Sequence, residues 1–379
     1  MAMHSRVPAL LAAATTTLAG LCAPGWCLAQ GNDSASALRF IGEAIMPTGL
    51  DYAGTEVGGL SGLDFDRRRG VYYAISDDRS SINPARFYTL TIDLADGGLE
   101  NDDVEFIDIT TMLDVDGAPF APSGVDPEAI RYDPSTQSLY WTSEGDANQL
   151  QAPFVRQMNL DGSFVRELVT PVKYFPGTDG STGIRNNLAF ESLTFSSRRG
   201  LLVTATENAL AQDGPAASVD DGSPVRILTL AVATGEPVSE FMYQTDPVAA
   251  DSVPSGEFTT NGLVELLALS QNRFLAVERS FSVGVGNAIR VYLVNTRRAD
   301  DVAALDSIAD QTVTFASKRL LLDLADLGIV LDNIEGVTFG PRLPGGERSL
   351  ILVSDNNFND TQFTQFLAFA IELGDAGDD

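Results

Sequence analysis

Acidic residues recur at the same place in five similar segments of this chain. The segment Phe190–Glu207 shows the pattern: a glutamate opens a short apolar run, a polar turn follows, and a second apolar run ends on another acid. The other four segments begin at Ser61, Glu128, Glu265 and Glu335. Carboxylates bind hard cations through oxygen and can also accept a proton from water. These recurring acids are therefore the first candidates for chemistry.

The elements that position these acids are short strands. Runs of Val, Ile, Leu, Tyr and Phe are bounded by Gly, Pro, Asp and Asn, which is typical of strands and turns. The segment starts are 67, 63, 74 and 70 residues apart, and each segment has room for three or four strands. This repeat predicts an all-β fold, a single β-propeller of four-stranded blades. The count gives five blades; a sixth would need degenerate strands within Gln244–Thr260 or Arg297–Gln311.

The last segment has only three strands before the chain ends. The N-terminal run Leu38–Pro47 has no other partner, so we expect it to complete the last blade and close the ring. Closure removes the open sheet edges that would otherwise pair with other chains. We therefore assign residues 30–373 to one propeller domain and residues 374–379 to an acidic, disordered tail.

Residues 1–29 have the pattern of a secretory signal peptide. Arg6 provides the positive start, Pro8–Leu21 the apolar middle, and Cys27-Leu28-Ala29 a small-x-small end. The alternative, an uncleaved membrane anchor, is disfavoured because the apolar run is shorter than the ~20 residues that a spanning helix needs. The pattern predicts cleavage near Ala29 and a periplasmic or secreted protein without stable membrane insertion.

Cleavage would remove the histidine and both cysteines of the chain, namely His4, Cys22 and Cys27. Ser-His-Asp catalysis, histidine phosphatase chemistry, a thiol nucleophile and a His-ligated zinc site would then be excluded. The formal net charge is −28, and loss of Arg6 makes it −29. Such a charge repels nucleic acid and anionic membranes. We expect a monomer that acts on a small molecule.

The glutamates at the segment starts are expected to meet at one place. Innermost strands line the central channel of a propeller, so Glu128, Glu191, Glu265 and Glu335 would converge near its axis. Close carboxylates repel each other unless they are protonated, paired or bridged by a metal. In the alternative interpretation each glutamate is structural and pairs with the arginine that opens the third strand, as Glu191 with Arg226.

The exceptions to the repeat point to the junction of the last and first blades. The first segment has Ser61 in place of glutamate, and the last has Gln365 in place of the third-strand arginine. The second strands of these blades end in Asp77-Asp78-Arg79 and Asp355-Asn356-Asn357. Carboxylates with fewer cationic partners favour a Ca²⁺ site. Alternatively, these Asp and Asn residues only form turns.

At these residues the chain resembles the phytase-like secreted proteins described as having esterase-like activity of phytase. The resemblance spans Ser61 to Phe369 and lies in Ser61-Gly-Leu with Ser76-Asp-Asp, Glu207-Asn, Val277-Glu-Arg-Ser-Phe, Asn333-Ile-Glu-Gly-Val and Val353-Ser-Asp-Asn-Asn-Phe. It implies Ca²⁺ bound by carboxylates and hydrolysis of phosphoesters by an activated water. A non-catalytic binding propeller of the cell envelope and a Ca²⁺-dependent, lactonase-type propeller are the alternatives.

A specific set of site residues follows from these patterns. The predicted metal ligands are Glu128, Glu191, Glu265, Glu335, Asp77 and Asp355. Glu335 and Asp355 are also the predicted catalytic carboxylates, since an uncoordinated carboxylate can take the proton from water. Arg279 is predicted to contact the anion that forms.

Overall fold

The computed structural model describes residues 27–28, 37–197 and 200–372. In these residues five four-stranded antiparallel sheets form a five-bladed β-propeller, and each blade runs from an innermost strand, named first, to an outermost strand, named last. Blade 1 consists of Leu60–Asp66, Val71–Ser76, Arg86–Ile92 and Val104–Thr111. Blade 2 consists of Pro127–Asp133, Ser138–Ser143, Phe154–Asn159 and Phe164–Glu167. Blade 3 consists of Thr194–Phe195, Leu201–Ala205, Pro224–Ala231 and Pro237–Gln244. Blade 4 consists of Thr259–Ala268, Arg273–Ser282, Gly286–Asn295 and Ser317–Asp323. Blade 5 consists of Asn333–Arg342, Arg348–Asp355, Phe363–Glu372 and Ala37–Pro47.

The remaining elements are short. Asp51–Tyr52 pairs with Thr55–Glu56, and Cys27–Leu28 adds a two-residue strand to the edge of blade 5. Single 3₁₀ turns occur at Asn101–Asp103, Ala147–Gln149, Val172–Tyr174 and Leu324–Leu327. The described part of the chain has no α-helix. Its 3₁₀ helices are not long and apolar enough to cross a membrane. Apart from Cys27–Leu28, the predicted signal peptide lies outside the described residues, as does the predicted tail at 374–379.

The N-terminal strand closes the ring, as the sequence predicts. Ala37–Pro47 runs antiparallel to Phe363–Glu372 along nearly its whole length. The two ends of the propeller are thus joined by hydrogen bonds within blade 5. The two connections that could hold a sixth blade contain no strand between 245 and 258 or between 296 and 316. The prediction of five blades is therefore confirmed.

The hydrophobic core lies between blades. Five of the hydrophobic clusters each occupy the space between one pair of neighbouring blades. Between blades 5 and 1, for example, Tyr72 and Tyr88 pack with Val353 and Phe366. A strand that neighbouring blades cover on both faces does not alternate between buried and exposed residues. In Ser138–Ser143, for example, every residue is buried.

One buried ion pair connects all five blades at the centre of the ring. The Arg131 Nη2 of blade 2 lies 2.5 Å from the Glu265 Oε2 of blade 4. Arg131 also donates to the Leu63 carbonyl of blade 1 at 2.8 Å and to the Val337 carbonyl of blade 5 at 3.1 Å. Glu265 Oε1 accepts from the Leu193 amide of blade 3 at 3.2 Å. The pair therefore holds the innermost strands in register with one another.

Glu265→Ala should strongly destabilise the protein. The guanidinium of Arg131 is 2% exposed and would lose its counter-charge. Removing one partner of a buried pair costs about 3–5 kcal/mol in the free energy of unfolding, whereas replacing both with apolar residues is often neutral. Chemical denaturation of Glu265→Ala and of Arg131→Met/Glu265→Leu measures the two effects.

The partly exposed pair Arg39–Glu347 provides the matched control for this measurement. Glu347→Ala should cost less than about 1 kcal/mol, because exposed pairs contribute little. A Glu265→Ala variant as stable as Glu347→Ala would contradict the central role assigned to the buried pair.

Candidate metal centre at the channel mouth

The first strands begin, and the second strands end, at the same end of the central channel. A β-bulge near the start of the first strand presents one extra residue there, which is Ser61 in blade 1 and Glu335 in blade 5. In blade 4 the bulge falls between Leu263 and Glu265, so the corresponding residue is Val264. Side chains alternate along a strand, so Glu265, one residue further, points to the other side. This explains why Glu265 pairs with Arg131 instead of joining the other glutamates.

Eight carboxylates surround this end of the channel, and we call them the acidic mouth. They come from blades 1, 2, 3 and 5 and from the segment that enters blade 2: Asp77, Asp126, Glu128, Glu144, Glu191, Glu207, Glu335 and Asp355. Seven of them are buried, and Asp77 is partly exposed. Only two arginines of the described residues, Arg79 and Arg279, are paired with members of this set. The acidic mouth therefore has far more potential negative charge than positive charge.

The carboxylates form a connected series of three close groups. In each group, one oxygen from every member lies within 4.8 Å of the others. The groups are Asp126 with Glu128 and Glu144, Glu128 with Glu191 and Glu335, and Glu144 with Glu191 and Glu207. Because three glutamates belong to two groups each, a cation at one group would also lie close to the next.

The arginines neutralise only part of this charge. Arg279 Nη2 lies 3.1 Å from Glu335 Oε1 and 3.6 Å from Glu207 Oε1. Arg79 Nη2 lies 2.6 Å from Asp126 Oδ2. The second strands of two blades position these arginines. Arg279 lies in the second strand of blade 4, and Arg79 follows the second strand of blade 1.

Backbone and amide donors satisfy some of the remaining oxygens. Asn333 Nδ2 donates to Glu335 Oε1 at 2.9 Å and to Asp355 Oδ2 at 3.2 Å, and the Asn357 amide donates to Asp355 Oδ1 at 2.6 Å. Four buried oxygens of the acidic mouth have no hydrogen-bond partner among the described residues. Asp126 Oδ2 and Glu207 Oε1 face an arginine, whereas Asp77 Oδ1 and Glu144 Oε2 do not form an ion pair there either. Buried acceptors normally have a hydrogen-bond partner. The oxygens of Asp77 and Glu144 therefore indicate a proton or a cation.

Burial is the largest cause of raised pKa values in the acidic mouth. It raises the pKa of Asp126 to about 6, of Glu335 to about 7 and of Asp355 to about 8. The pKa values of the other five are also raised, in most cases with neighbouring carboxylates as a further cause. Without a cation, several of these groups therefore retain their protons at neutral pH.

The donor set fits a hard cation. All the converging side chains offer oxygen, and none of them offers nitrogen or sulfur as a ligand. Ca²⁺ takes 6–8 oxygen ligands in flexible geometry. Gly262 leaves room for one of these carboxylates, since a Cβ there would lie 2.2 Å from Glu207 Oε1. The residues present are therefore suited to Ca²⁺.

The structure brings most of the predicted site residues together and separates one. Glu128, Glu191 and Glu335 form one close group. Asp77 and Asp355 lie near Glu335, and burial together with the negative charge of Glu335 raises the pKa of both. The expectation that Glu265 opens its strand and joins this group is wrong, because it lies within Thr259–Ala268 on the other side.

The predicted site residues did not include three carboxylates of the acidic mouth, Asp126, Glu144 and Glu207, or Arg79, which pairs with Asp126. A signal for two of them is present, since Glu144 and Glu207 end their second strands at the position that Asp77 and Asp355 occupy in theirs. Asp126 lies two residues before Glu128, outside the repeated pattern, and only the fold shows that it faces Arg79.

The alternative interpretation paired each glutamate with the arginine that opens the third strand, and it named Glu191 with Arg226. This pair is not formed. Arg226 binds Asp213 and Glu240 and does not contact Glu191. In blade 1, Arg86 binds Asp78, whose carboxylate also accepts from the amides of Ser81, Ile82 and Asn83. The turn interpretation is therefore correct for Asp78, while Asp77 beside it joins the acidic mouth.

These features define an all-β, five-bladed propeller with a carboxylate-rich channel mouth. Residues 55–358 match the phytase-like family, described as esterase-like activity of phytase, and the chain belongs to this family. No curated protein sequence is significantly similar to it.

Two solved structures illustrate the wider similarity of the fold. An endo-1,4-β-xylanase from Bacteroides thetaiotaomicron is 12% identical, with a TM-score of 0.45 over 83% of this chain and 95% of that chain. A periplasmic gluconolactonase of Pseudomonas aeruginosa is 12% identical, with a TM-score of 0.34 over 90% of this chain and 93% of that chain. At such low identity the similarity concerns the fold alone.

The metal-free protein should become less stable as pH rises. Unfolded Asp and Glu have pKa values near 3.8 and 4.5, whereas the folded values reach about 7 for Glu335 and about 8 for Asp355. Between these values the folded state binds more protons than the unfolded state, so the free energy of unfolding falls with pH. Arg79 and Arg279 stay charged over this pH range. They offset part of the rise that burial causes in the pKa values of Asp126 and Glu335, and so make the loss of stability smaller.

Thermal unfolding in chelator between about pH 5 and pH 8.5 measures this dependence. We expect the Tm to fall steadily up to about pH 8, and Ca²⁺ at that pH to restore it. A Tm that stays flat or rises over this range would show that the acidic mouth is not protonated in the metal-free fold.

Proposed function

We propose that this protein is an exported, Ca²⁺-dependent hydrolase of phosphoesters, with its active site at the acidic mouth. Membership of the phytase-like family supports hydrolysis. The signal-peptide pattern of residues 1–29 supports export. The observation that carries the proposal is the set of buried, converging carboxylates, in which Asp77 Oδ1 and Glu144 Oε2 lack a donor among the described residues.

The geometry indicates which residues would hold the ion. Glu128, Glu144 and Glu191 each belong to two of the close groups, so they are the central ligands of the proposal. Glu335 and Glu207 complete two of these groups, and Asp126 completes the third. Glu265 is not included, because its carboxylate is engaged by Arg131. Asp77 lies at the edge of the set with an oxygen that accepts no hydrogen bond from the described residues.

Bound Ca²⁺ would supply positive charge to a phosphoryl group and lower the pKa of a water. Without a bound cation, the converging carboxylates of the acidic mouth would repel a phosphoester.

The chain itself supplies a proton acceptor and an anion contact. Asp355 belongs to none of the three close groups, and Asn333 and the Asn357 amide fix its orientation. We therefore assign Asp355, with its orientation fixed, the role of taking a proton from the attacking water. Arg279 is 13% exposed, and its buried Nε has no acceptor among the described residues. That N–H is the donor available to stabilise negative charge as it develops on a phosphoryl oxygen.

Glu335→Gln should abolish most of the activity without unfolding the protein. The amide keeps the volume but removes an anionic ligand from the group of Glu128, Glu191 and Glu335. We expect bound calcium to fall and the hydrolysis of p-nitrophenyl phosphate and phytate to drop at least about 100-fold, the scale of losing one charged transition-state contact. Metal analysis, rate measurements and circular dichroism test this, with Glu347→Gln as the control.

Other results of these assays, with lactones added to the substrates, would point elsewhere. Full turnover of wild-type protein in excess chelator would exclude a role for calcium in the reaction. Calcium binding that raises the Tm, without hydrolysis of any phosphoester or lactone, would favour a binding propeller. Turnover of lactones alone would favour a lactonase-type enzyme.

Gly262→Ala should weaken calcium binding through sterics alone. The new Cβ would lie 2.2 Å from Glu207 Oε1 and 2.3 Å from its Cγ, so the carboxylate must move. We expect calcium affinity to fall about tenfold, corresponding to about 1.4 kcal/mol. Gly200→Ala is the control, since nothing lies within 4 Å of its Cβ position. Calcium titration of both variants measures the difference; equal affinities would contradict a role for Glu207 as ligand.

A further inference from the structure

A cavity opens at the end of the central channel opposite the acidic mouth, where the first strands end. Its volume is about 820 Å³, and its walls include Phe65, Phe195, Leu267 and Phe339. Cavities of roughly 300–1,000 Å³ hold small organic molecules. Arg131 also lines it, so the Arg131–Glu265 pair lies between this cavity and the acidic mouth. The eight carboxylates of the acidic mouth are not part of its lining.

The cavity contains a cation with no carboxylate partner. Arg348 makes no ion pair within the described residues, and its buried Nε has no hydrogen-bond acceptor there. Its guanidinium carbon lies 3.5 Å from the centroid of the Phe339 ring. Stacking of this kind occupies the faces of a guanidinium and leaves the N–H groups at its edge free to bind an anion.

The surroundings of Arg348 add positive charge. Burial, together with the nearby Arg67 and Arg342, lowers the pKa of Arg348 to about 10. Arg67 and Arg68 line the cavity and have no ion pair in the described part of the chain. An anion would relieve this repulsion.

The two acids of the cavity are already engaged. The carboxylate of Asp66 accepts hydrogen bonds from the backbone amide and from the guanidinium of Arg69. Asp64 accepts from the Tyr132 amide and the Thr338 hydroxyl, each at 2.8 Å. Neither carboxylate forms an ion pair with Arg348, although Asp64 lies close enough to attract it. A positive cavity is all the more unusual in a chain with a net charge of −28.

We propose that this cavity binds a small organic anion, with its carboxylate or phosphoryl group on Arg348, Arg67 and Arg68 and an apolar, ring-sized body against Phe65 and Phe339. Guanidinium groups match carboxylates and phosphoryl groups with two parallel N–H donors. The aromatic walls supply the apolar contact that inorganic phosphate cannot use. The site is separate from the acidic mouth and needs no metal.

Calorimetric titration with benzoate, phenylphosphonate and inorganic phosphate tests this site. Working in excess chelator prevents anions from binding through calcium at the acidic mouth. We expect phenylphosphonate to bind with a Kd below about 1 mM and inorganic phosphate to bind at least about tenfold more weakly, as loss of the apolar contact requires. Arg348→Gln should weaken phenylphosphonate binding at least about tenfold.

Two control variants locate the binding. Arg273 begins the second strand of blade 4, as Arg348 begins that of blade 5, but it does not line the cavity. Arg273→Gln should therefore leave the affinity unchanged. Glu335→Gln should also leave it unchanged, because Glu335 lies at the acidic mouth. Circular dichroism and the Tm confirm that each variant is folded.

Three results would overturn the proposal. The first is that wild-type protein binds none of the anions at about 10 mM ligand, a concentration that reveals even weak sites. The second is that folded Arg348→Gln binds phenylphosphonate like wild type. The third is that Glu335→Gln loses binding, which would place the anion at the acidic mouth.

Discussion

The ion pair between Arg131 and Glu265 is the interaction on which the arrangement of the blades depends. In a propeller the innermost strands converge, and their side chains must fill the channel without forcing the blades apart. Here one arginine and one glutamate bond to backbone groups of blades 1, 3 and 5 while joining blades 2 and 4. Each of these groups is buried, so their desolvation is offset only when all the bonds form together. The geometry of the ring and the bonding of the pair therefore support each other.

The sequence predicts this fold well because a propeller repeats its pattern. Four-stranded units at similar spacing, and an N-terminal run without a partner, are enough to predict five blades and ring closure. The site is harder to predict, because one residue of register decides which way a carboxylate points. Glu265 aligns with the other glutamates by sequence, but the bulge in blade 4 presents Val264 instead. Asp126 lies in a connection with no repeat, and only the three-dimensional structure brings it to Arg79.

The channel has opposite character at its two ends. At one end, carboxylates converge with two arginines between them. At the other, Arg67, Arg68 and Arg348 face a cavity whose acids are engaged elsewhere. The Arg131–Glu265 layer lies between them and contributes no net charge to either. Charge neutralisation at one end therefore depends little on the other end. In the two proposals, a cation would bind at the acidic mouth and an anion at the arginine-lined cavity.

Blade 4 makes the acidic mouth asymmetric. It has Val264 where blade 5 has Glu335, and Arg279 where blade 5 has Asp355, since both pairs occupy the same register positions. The carboxylates therefore form an arc over blades 5, 1, 2 and 3, with Arg279 on the side of blade 4. An ion bound by the arc would face Arg279 across the mouth, and an anionic group between them would contact positive charge on both sides. In the proposed function, the departure of blade 4 from the repeat is what would give a phosphoryl group positive charge on two sides.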